Sequence, residues 1–312
     1  MAVLPRAILL MGPTASGKTT LGIELAKALD GEIISVDSAL VYKEMDIGTA
    51  KPDMDERQGI KHHLIDILDP CEVFSAGQFR EEALKLIHNI IESGKTPILV
   101  GGTMLYFHVL LNGIAKLPDA DQEIRQRIDA QAKSEGWLAI HKKLETVDPV
   151  AAKRIHQNDA QRIQRALEVY LVSGRSQTEL IREQQSTELP FQPVKLIIAP
   201  TDRAELHEKI ALRFDLMLAN GFMQEVSSLY ERGDLDASMP AIRSVGYRQA
   251  WAHIGGEYDR ATMREKAIIA TRQLAKRQFT WLRQQDDVTW LATGDEINKS
   301  TVLAQFGSKN TN

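Results

Sequence analysis

Four short apolar runs punctuate the chain: AILLM (Ala7–Met11), EIISV (Glu32–Val36), PILV (Pro97–Val100) and VKLIIA (Val194–Ala199). Turn formers bound each run, which is the pattern of strands buried on both faces. Helical spacing fills the gaps between them, over Thr19–Leu29 and over Phe79–Ser93, where Gly94 supplies a stop. Strands alternating with helices predict an α/β fold, a mostly parallel sheet with helices on both faces.

From Asp121 to about Glu188 the strand pattern disappears. Helical segments replace it at Gln122–Ser134, Trp137–Glu145 and Asp159–Val172, the last with Ile163, Ala166, Leu167 and Tyr170 on one stripe. Because a sheet strand returns at Val194, residues 121–189 read as an all-helical domain inserted into a core formed by residues 1–120 and 190–312. The C-terminal part is again helical, with a long run over Arg260–Leu282, and the last dozen residues are expected to fray. One uncharged stretch, Thr96–Ala115, is nearly long enough to span a bilayer, which takes about 20 apolar residues. Pro97, Gly101–Gly102, His108 and Asn112 cut it into a strand, a turn and a buried helix, so no membrane insertion is expected. The apolar start of the chain is interrupted by glycine, proline and Lys18 with no small-residue cleavage site, so a signal peptide is not expected either.

Composition narrows the class. A 43% hydrophobic fraction over 312 residues is that of a globular protein with a large core. The single cysteine, Cys71, excludes an internal disulfide and a multi-cysteine zinc site, and points to a reducing cytoplasm. A net charge of −4 argues at first against a nucleic-acid partner. The charge is uneven, however: residues 1–120 carry 11 basic and 16 acidic side chains, whereas Ala241–Arg283 carries nine basic against three acidic ones.

Gly12-Pro13-Thr14-Ala15-Ser16-Gly17-Lys18-Thr19 matches G-x-x-x-x-G-K-[ST] between a strand and a helix. Backbone N–H groups and a helix N-terminus hold phosphate oxygens, Lys18 adds a cation, and Thr19 can ligate Mg²⁺. The motif specifies a di- or triphosphate without saying which. Nucleotide hydrolases place an acid at the end of a downstream strand, but PILV runs into Gly101-Gly102-Thr103 with no carboxylate. The acid stands instead at Asp37, after EIISV, where it can be a metal ligand, a general base or a cap for the turn into Ser38.

The cradle is followed by SVDSALVYKEMDIGTAKP (Ser35–Pro52), LVGGTMLYF (Leu99–Phe107), QRIQRALEVY (Gln161–Tyr170) and IRSVGYRQ (Ile242–Gln249). In this order, over roughly residues 5–290, the chain resembles the bacterial tRNA dimethylallyltransferases, also called tRNA isopentenyltransferases. Met104 and Ser244 lie inside otherwise matching blocks. The resemblance implies a fold like the P-loop nucleotide kinases with a helical insertion. It also implies transfer of a dimethylallyl group from dimethylallyl diphosphate to N6 of the adenine beside the anticodon. Eukaryotic members carry a C-terminal zinc finger, for which one cysteine does not suffice.

On that resemblance Asp37 matches the base that takes the amine proton, and Thr103 and Arg213 match residues at the amine and the diphosphate. Alone, Thr103 reads equally as a turn-closing hydroxyl and Arg213 as an exposed helix charge. The implied tRNA contacts are Asp37, Ser38, Ala39 and Leu40 at the reactive base, Thr103, and Arg125. Further contacts fall on Gln161, Arg162, Ile163, Gln164 and Arg165 on one helix, and on Arg243, Ser244, Val245, Gly246, Tyr247 and Arg248 in a turn with one stacking ring. Each arginine pair could instead be a solvated helix face. An extruded adenine would have to reach the phosphate site. Implied partners are the anticodon stem-loop and dimethylallyl diphosphate, with Mg²⁺ as cofactor and a monomer as the working form. Two other functions fit a phosphate cradle: a small-molecule kinase using ATP, and a non-catalytic RNA-binding protein.

Overall fold

The computed structural model describes residues 4–183 and 188–307. Met1–Val3 of the apolar start, residues 184–187 of the helical stretch and residues 308–312 of the expected frayed tail lie outside the described residues. In chain order the first part comprises β1 (Arg6–Met11), α1 (Lys18–Ala28), β2 (Gly31–Val36), α2 (Met54–Arg57), β3 (His62–His63), α3 (Ala76–Glu92), β4 (Thr96–Gly101) and α4 (Met104–Asn112). Five helices follow: α5 (Gln122–Glu135), α6 (Trp137–Val147), α7 (Pro149–Arg154), α8 (Ala160–Ser173) and α9 (Gln177–Arg182). The last part comprises β5 (Gln192–Ala199), α10 (Arg203–Ala219), α11 (Phe222–Glu231), α12 (Tyr247–Ile254), α13 (Arg260–Leu282), β6 (Val288–Ala292) and α14 (Asn298–Gly307). Two compact units result, residues 1–111 with 189–312, and residues 112–188.

In the larger unit six parallel strands lie in the order β3-β2-β4-β1-β5-β6. Strand side chains alternate between faces, and here both faces are apolar. Leu9, Met11, Ile34, Val36 and Leu99 pack with Phe79, Ile87 and Phe107 of α3 and α4. Ile8, Leu10, Ile33, Ile98 and Leu196 pack on the other side with Leu21 and Leu25 of α1. Two-sided burial is why these strands read as continuous apolar runs. A further cluster joins Val41, Tyr42 and Met45 to Phe214, Phe222, Tyr247 and Ala267 of α10–α13.

Thr96–Ala115 forms a strand, a turn and a largely buried helix, and no described helix is long and apolar enough to cross a membrane. Two strands escaped the sequence pattern. β3 is only two residues long, and β6 (VTWLA) at the sheet edge leaves Trp290 exposed and so has no unbroken apolar run. The tail also departs from expectation, because residues through 307 form α14. Val302 is fully buried, with Leu303 and Phe306 packed beside it against the α1 face of the sheet, and Arg6 donates to the Phe306 carbonyl. Burial of an apolar edge holds this segment where polarity alone predicts fraying.

The smaller unit has its own core: Ile128, Ala132, Ile140, Leu144, Ala151, Ile155, Ile163 and Ala166. Side-chain caps from Asp121, Asp148, Asp159 and Ser176 open four of its helices.

Candidate active site

β2, β4 and β1 are neighbours, and in their register Met11 pairs with Gly101, which pairs with Val36. The loops leaving these three strands therefore start side by side at the carboxyl ends of the sheet, the position where parallel α/β folds bind ligands. They are the cradle Gly12–Thr19, the acid-bearing Asp37–Leu40 and the Gly102-Thr103 turn.

The cradle depends on small residues. A Cβ on Gly12 would meet the Ile198 carbonyl at 2.5 Å and Ser16 Oγ at 2.6 Å. Gly17 sits at φ 82°, the left-handed region glycine enters without strain, and Ala15 is held at φ 61°. Ser16 is fully buried with its hydroxyl unpartnered among the described residues. Lys18 opens α1 and donates to the Pro13 carbonyl at 3.2 Å. Burial pulls its ammonium down to about 8 from 10.5, Arg213 nearby pushes the same way, and Asp37 opposes both. Burial likewise lowers the Arg213 guanidinium on α10, against the attraction of Asp37 and Glu56. Two partly buried cations and one carboxylate thus lie within electrostatic reach of one another. Arg213 is no solvated helix charge.

Asp37 Oδ1 accepts the amides of Ala39 at 2.8 Å and Leu40 at 3.4 Å, so the cap is real. Among the described residues Oδ2 has no hydrogen-bond partner, and a cap on one oxygen leaves the other for chemistry. Thr103 does close a turn: its amide donates to the Val36 carbonyl at 3.1 Å, and its Oγ1 accepts the Ser38 amide at 3.0 Å. The same bond fixes the hydroxyl one residue from Asp37. Thr19 stands exposed in the first turn of α1, with no hydrogen bond to its hydroxyl among the described residues. A hard neutral oxygen beside a phosphate cradle suits Mg²⁺, which keeps several waters and needs few protein ligands.

The other residues expected to read RNA divide. Arg243 and Arg248 are exposed, and Ser244, Val245 and Gly246 form the approach to α12, with Gly246 at φ 94°. Tyr247 is not a free stacking ring: it is fully buried, edge-on to Phe222 at 5.2 Å, with its hydroxyl on Glu225. Glu225 also accepts the amides of Asp46, Ile47 and Gly48 at 2.7–3.0 Å. That ring is a packing and anchoring group.

In the smaller unit Ile163 is fully buried in the core, so its side chain packs and cannot meet RNA. Arg125 and Arg165 both bind Glu168, which is completely buried; Arg165 also donates to the Pro118 carbonyl at 2.7 Å. Gln164 donates to Asp129 at 2.6 Å. Gln161 and Arg162 are exposed, with Arg162 3.5 Å from Asp159. His63 is a structural residue, bound to Glu32 at 2.7 Å. Asp69 and its acidic neighbours push the exposed Cys71 thiol up, away from reactivity.

Glu168, Glu225 and Gln278, which bonds Thr14 and Gly102, escaped the sequence reading. A signal existed for two of them: a polar residue set among buried apolar positions three or four residues away, as Glu225 is between Phe222 and Leu229 and Gln278 between Ala275 and Leu282, whereas the positions so spaced around Glu168 are polar or exposed.

The chain is similar to known proteins. A tRNA dimethylallyltransferase of Methylococcus capsulatus is 58% identical over 293 residues, 94% of each chain. A tRNA isopentenylpyrophosphate transferase from Bacillus halodurans is 36% identical, with 97% of this chain and 96% of that one covered and a TM-score of 0.71. A eukaryotic dimethylallyltransferase solved acting on tRNA is 29% identical, with 98% and 79% covered and a TM-score of 0.81. The model of the IPP transferase family matches residues 40–285. On these grounds the chain belongs to the IPP transferase family.

Proposed function

We propose that this chain transfers a dimethylallyl group from dimethylallyl diphosphate to N6 of the adenine 3′-adjacent to the anticodon in tRNA, releasing diphosphate. The observation that carries it is the meeting of a phosphate cradle with Asp37 and Thr103 at the ends of three adjacent strands. This supports a reaction in which a phosphorylated donor and a proton-bearing acceptor face each other.

The cradle amides and the N-terminus of α1 bind the diphosphate. Lys18 exchanges the Pro13 carbonyl for a phosphate oxygen, and Arg213 adds a second cation where charge develops. Thr19 would hold Mg²⁺, which supplies charge neutralisation on the diphosphate. The N6 lone pair forms the bond to the allylic carbon as the carbon–oxygen bond breaks, and its electron pair leaves with diphosphate. The N6 proton passes to the free Oδ2 of Asp37, while the Ala39 and Leu40 amides keep that carboxylate aimed. Thr103 fixes the loop that carries the acid and can turn its hydroxyl toward the amine.

For the RNA, exposed Arg162 in the smaller unit and exposed Arg243 and Arg248 in the larger offer phosphate and base-edge contacts. Arg125 and Arg165 reach RNA only as far as Glu168 lets them. With tRNA as the proposed substrate, the cytoplasm is the proposed place of action. The test is labelled dimethylallyl diphosphate with an anticodon stem-loop, followed by the mass of the digested adenosine. A gain of one dimethylallyl group on adenosine is expected. No gain, with ADP formed from ATP, would establish the kinase instead.

A further inference from the structure

We infer that Gln278 is a positioning residue that holds the diphosphate cradle and the Thr103 turn at a fixed separation, an inference that rests on the proposed transferase activity. Gln278 lies late in α13 and is 7% exposed. Its Oε1 accepts the Thr14 amide at 3.0 Å, and its Nε2 donates to the Gly102 carbonyl at 2.9 Å. Both partners are backbone groups, one in the loop after β1 and the other in the turn after β4.

The connection continues. Gly102 leads into Thr103, whose Oγ1 takes the Ser38 amide, and Ser38 follows Asp37. One amide side chain therefore sits in the middle of a chain of bonds running Thr14–Gln278–Gly102–Thr103–Ser38. At one end is the loop that would carry the donor, at the other the acid that would take the acceptor's proton.

The paired glycines before Thr103 have physical reasons of the same kind. A Cβ on Gly101 would meet the Val36 carbonyl at 2.0 Å, and one on Gly102 would meet Gln278 Nε2 at 2.4 Å. The turn is wedged between β2 and α13. Only a side chain with a donor and an acceptor on one planar group satisfies both loops, and asparagine is one methylene too short. Displacing reacting groups by about 1 Å costs on the order of 10²-fold in rate, so the link should act on the chemical step more than on affinity for RNA.

The test compares Gln278→Leu, which removes both bonds at similar size, with wild type in prenyl transfer to a stem-loop. The expected result is a kcat lower by ~10–10²-fold with KM for the stem-loop within about twofold. In Thr103→Ala the same substitution should add less than about threefold, since both act through one turn. Gly102→Ala presses directly on the Gln278 amide while leaving the sequence of α13 unchanged, and it should reproduce the kcat loss; it decides the matter if Gln278→Leu fails to fold. Wild-type rates in a folded Gln278→Leu, a loss confined to stem-loop KM, or full additivity with Thr103→Ala would overturn the inference while wild-type transfer leaves the proposed activity standing. Absence of transfer by the wild-type chain would instead refute the activity on which the inference rests.

Discussion

The Tyr247 hydroxyl donates to Glu225 Oε1 at 2.5 Å, and the same carboxylate gathers the backbone amides of Asp46, Ile47 and Gly48. A Cβ on Gly48 would lie 2.2 Å from the Phe222 ring and 2.6 Å from the Tyr247 ring. Two segments far apart in sequence are thereby locked together, and burial with the adjacent carboxylate pushes the Tyr247 phenol well above its ordinary range.

Tyr247→Phe keeps the ring packing and removes one hydrogen bond to a charged group. It should lower stability by about 1.5 kcal/mol, read from denaturant unfolding, and leave stem-loop affinity within about twofold. A large loss of RNA affinity without loss of stability would return Tyr247 to the role of a stacking ring.

Glu168→Ala should destabilise the smaller unit, because Arg125 and Arg165 lose the buried anion that holds them. The expected cost is about 2 kcal/mol. That is below the roughly 3–5 kcal/mol of a fully buried broken pair, since both arginines reach water. Arg162→Ala, at an exposed position, should leave stability unchanged and weaken stem-loop binding by about fivefold, near 1 kcal/mol. Electrophoretic mobility shifts beside thermal melts separate the two effects.

Lys18 gives a pH signature. Its folded value of about 8 lies below the ordinary 10.5, so folding disfavours its charge. The penalty is fully present below about pH 8 and relieved as pH rises toward 10.5. Lys18→Met should therefore be more stable than wild type at pH 7, with the difference shrinking above pH 8. Diphosphate binding should show the opposite face of this effect. Affinity in the wild type should fall above pH 8, where the lysine must take up a proton to bind, and calorimetry in buffers of different ionisation enthalpy would detect that uptake.

Glu32 gives a second one. Burial raises its carboxyl, but Lys95, His63 and Lys61 outweigh it and hold the group at about 2. Its stabilisation is present above about pH 4.5 and lost as pH falls toward 2. Glu32→Gln should unfold less steeply in this acid window, as followed by circular dichroism.

Much of the fold was legible because its strands are buried on both faces. Ile8, Leu10 and Ile98 face one layer and Leu9, Met11 and Leu99 the other, so the runs carry no polar gap. The edge strand β6 and the two-residue β3 have one-sided or minimal burial, and their sequences do not stand out. At the site, Lys18 stood out through the phosphate-cradle motif, whereas Asp37 and Thr103 were singled out as reaction residues by the family resemblance, their own residue types leaving a turn cap and a turn-closing hydroxyl open. What was not legible is which polar groups spend their hydrogen bonds inside the protein. Tyr247, Arg125 and Gln164 look like RNA readers in a linear string, and only the fold brings Glu225, Glu168 and Asp129 against them. The whole-chain charge misleads for a related reason, since the acidic excess sits in residues 1–120 and the basic one on α12–α13.

In the proposed reaction Asp37 takes the proton from an adenine amine while the cradle takes diphosphate. Single-turnover transfer from dimethylallyl diphosphate to a stem-loop, with stem-loop affinity measured in parallel, tests it in Asp37→Ala against wild type. Unchanged binding and a transfer rate lower by at least ~10²-fold, the low end for a lost general base, are expected. Transfer at the wild-type rate in that variant would contradict it.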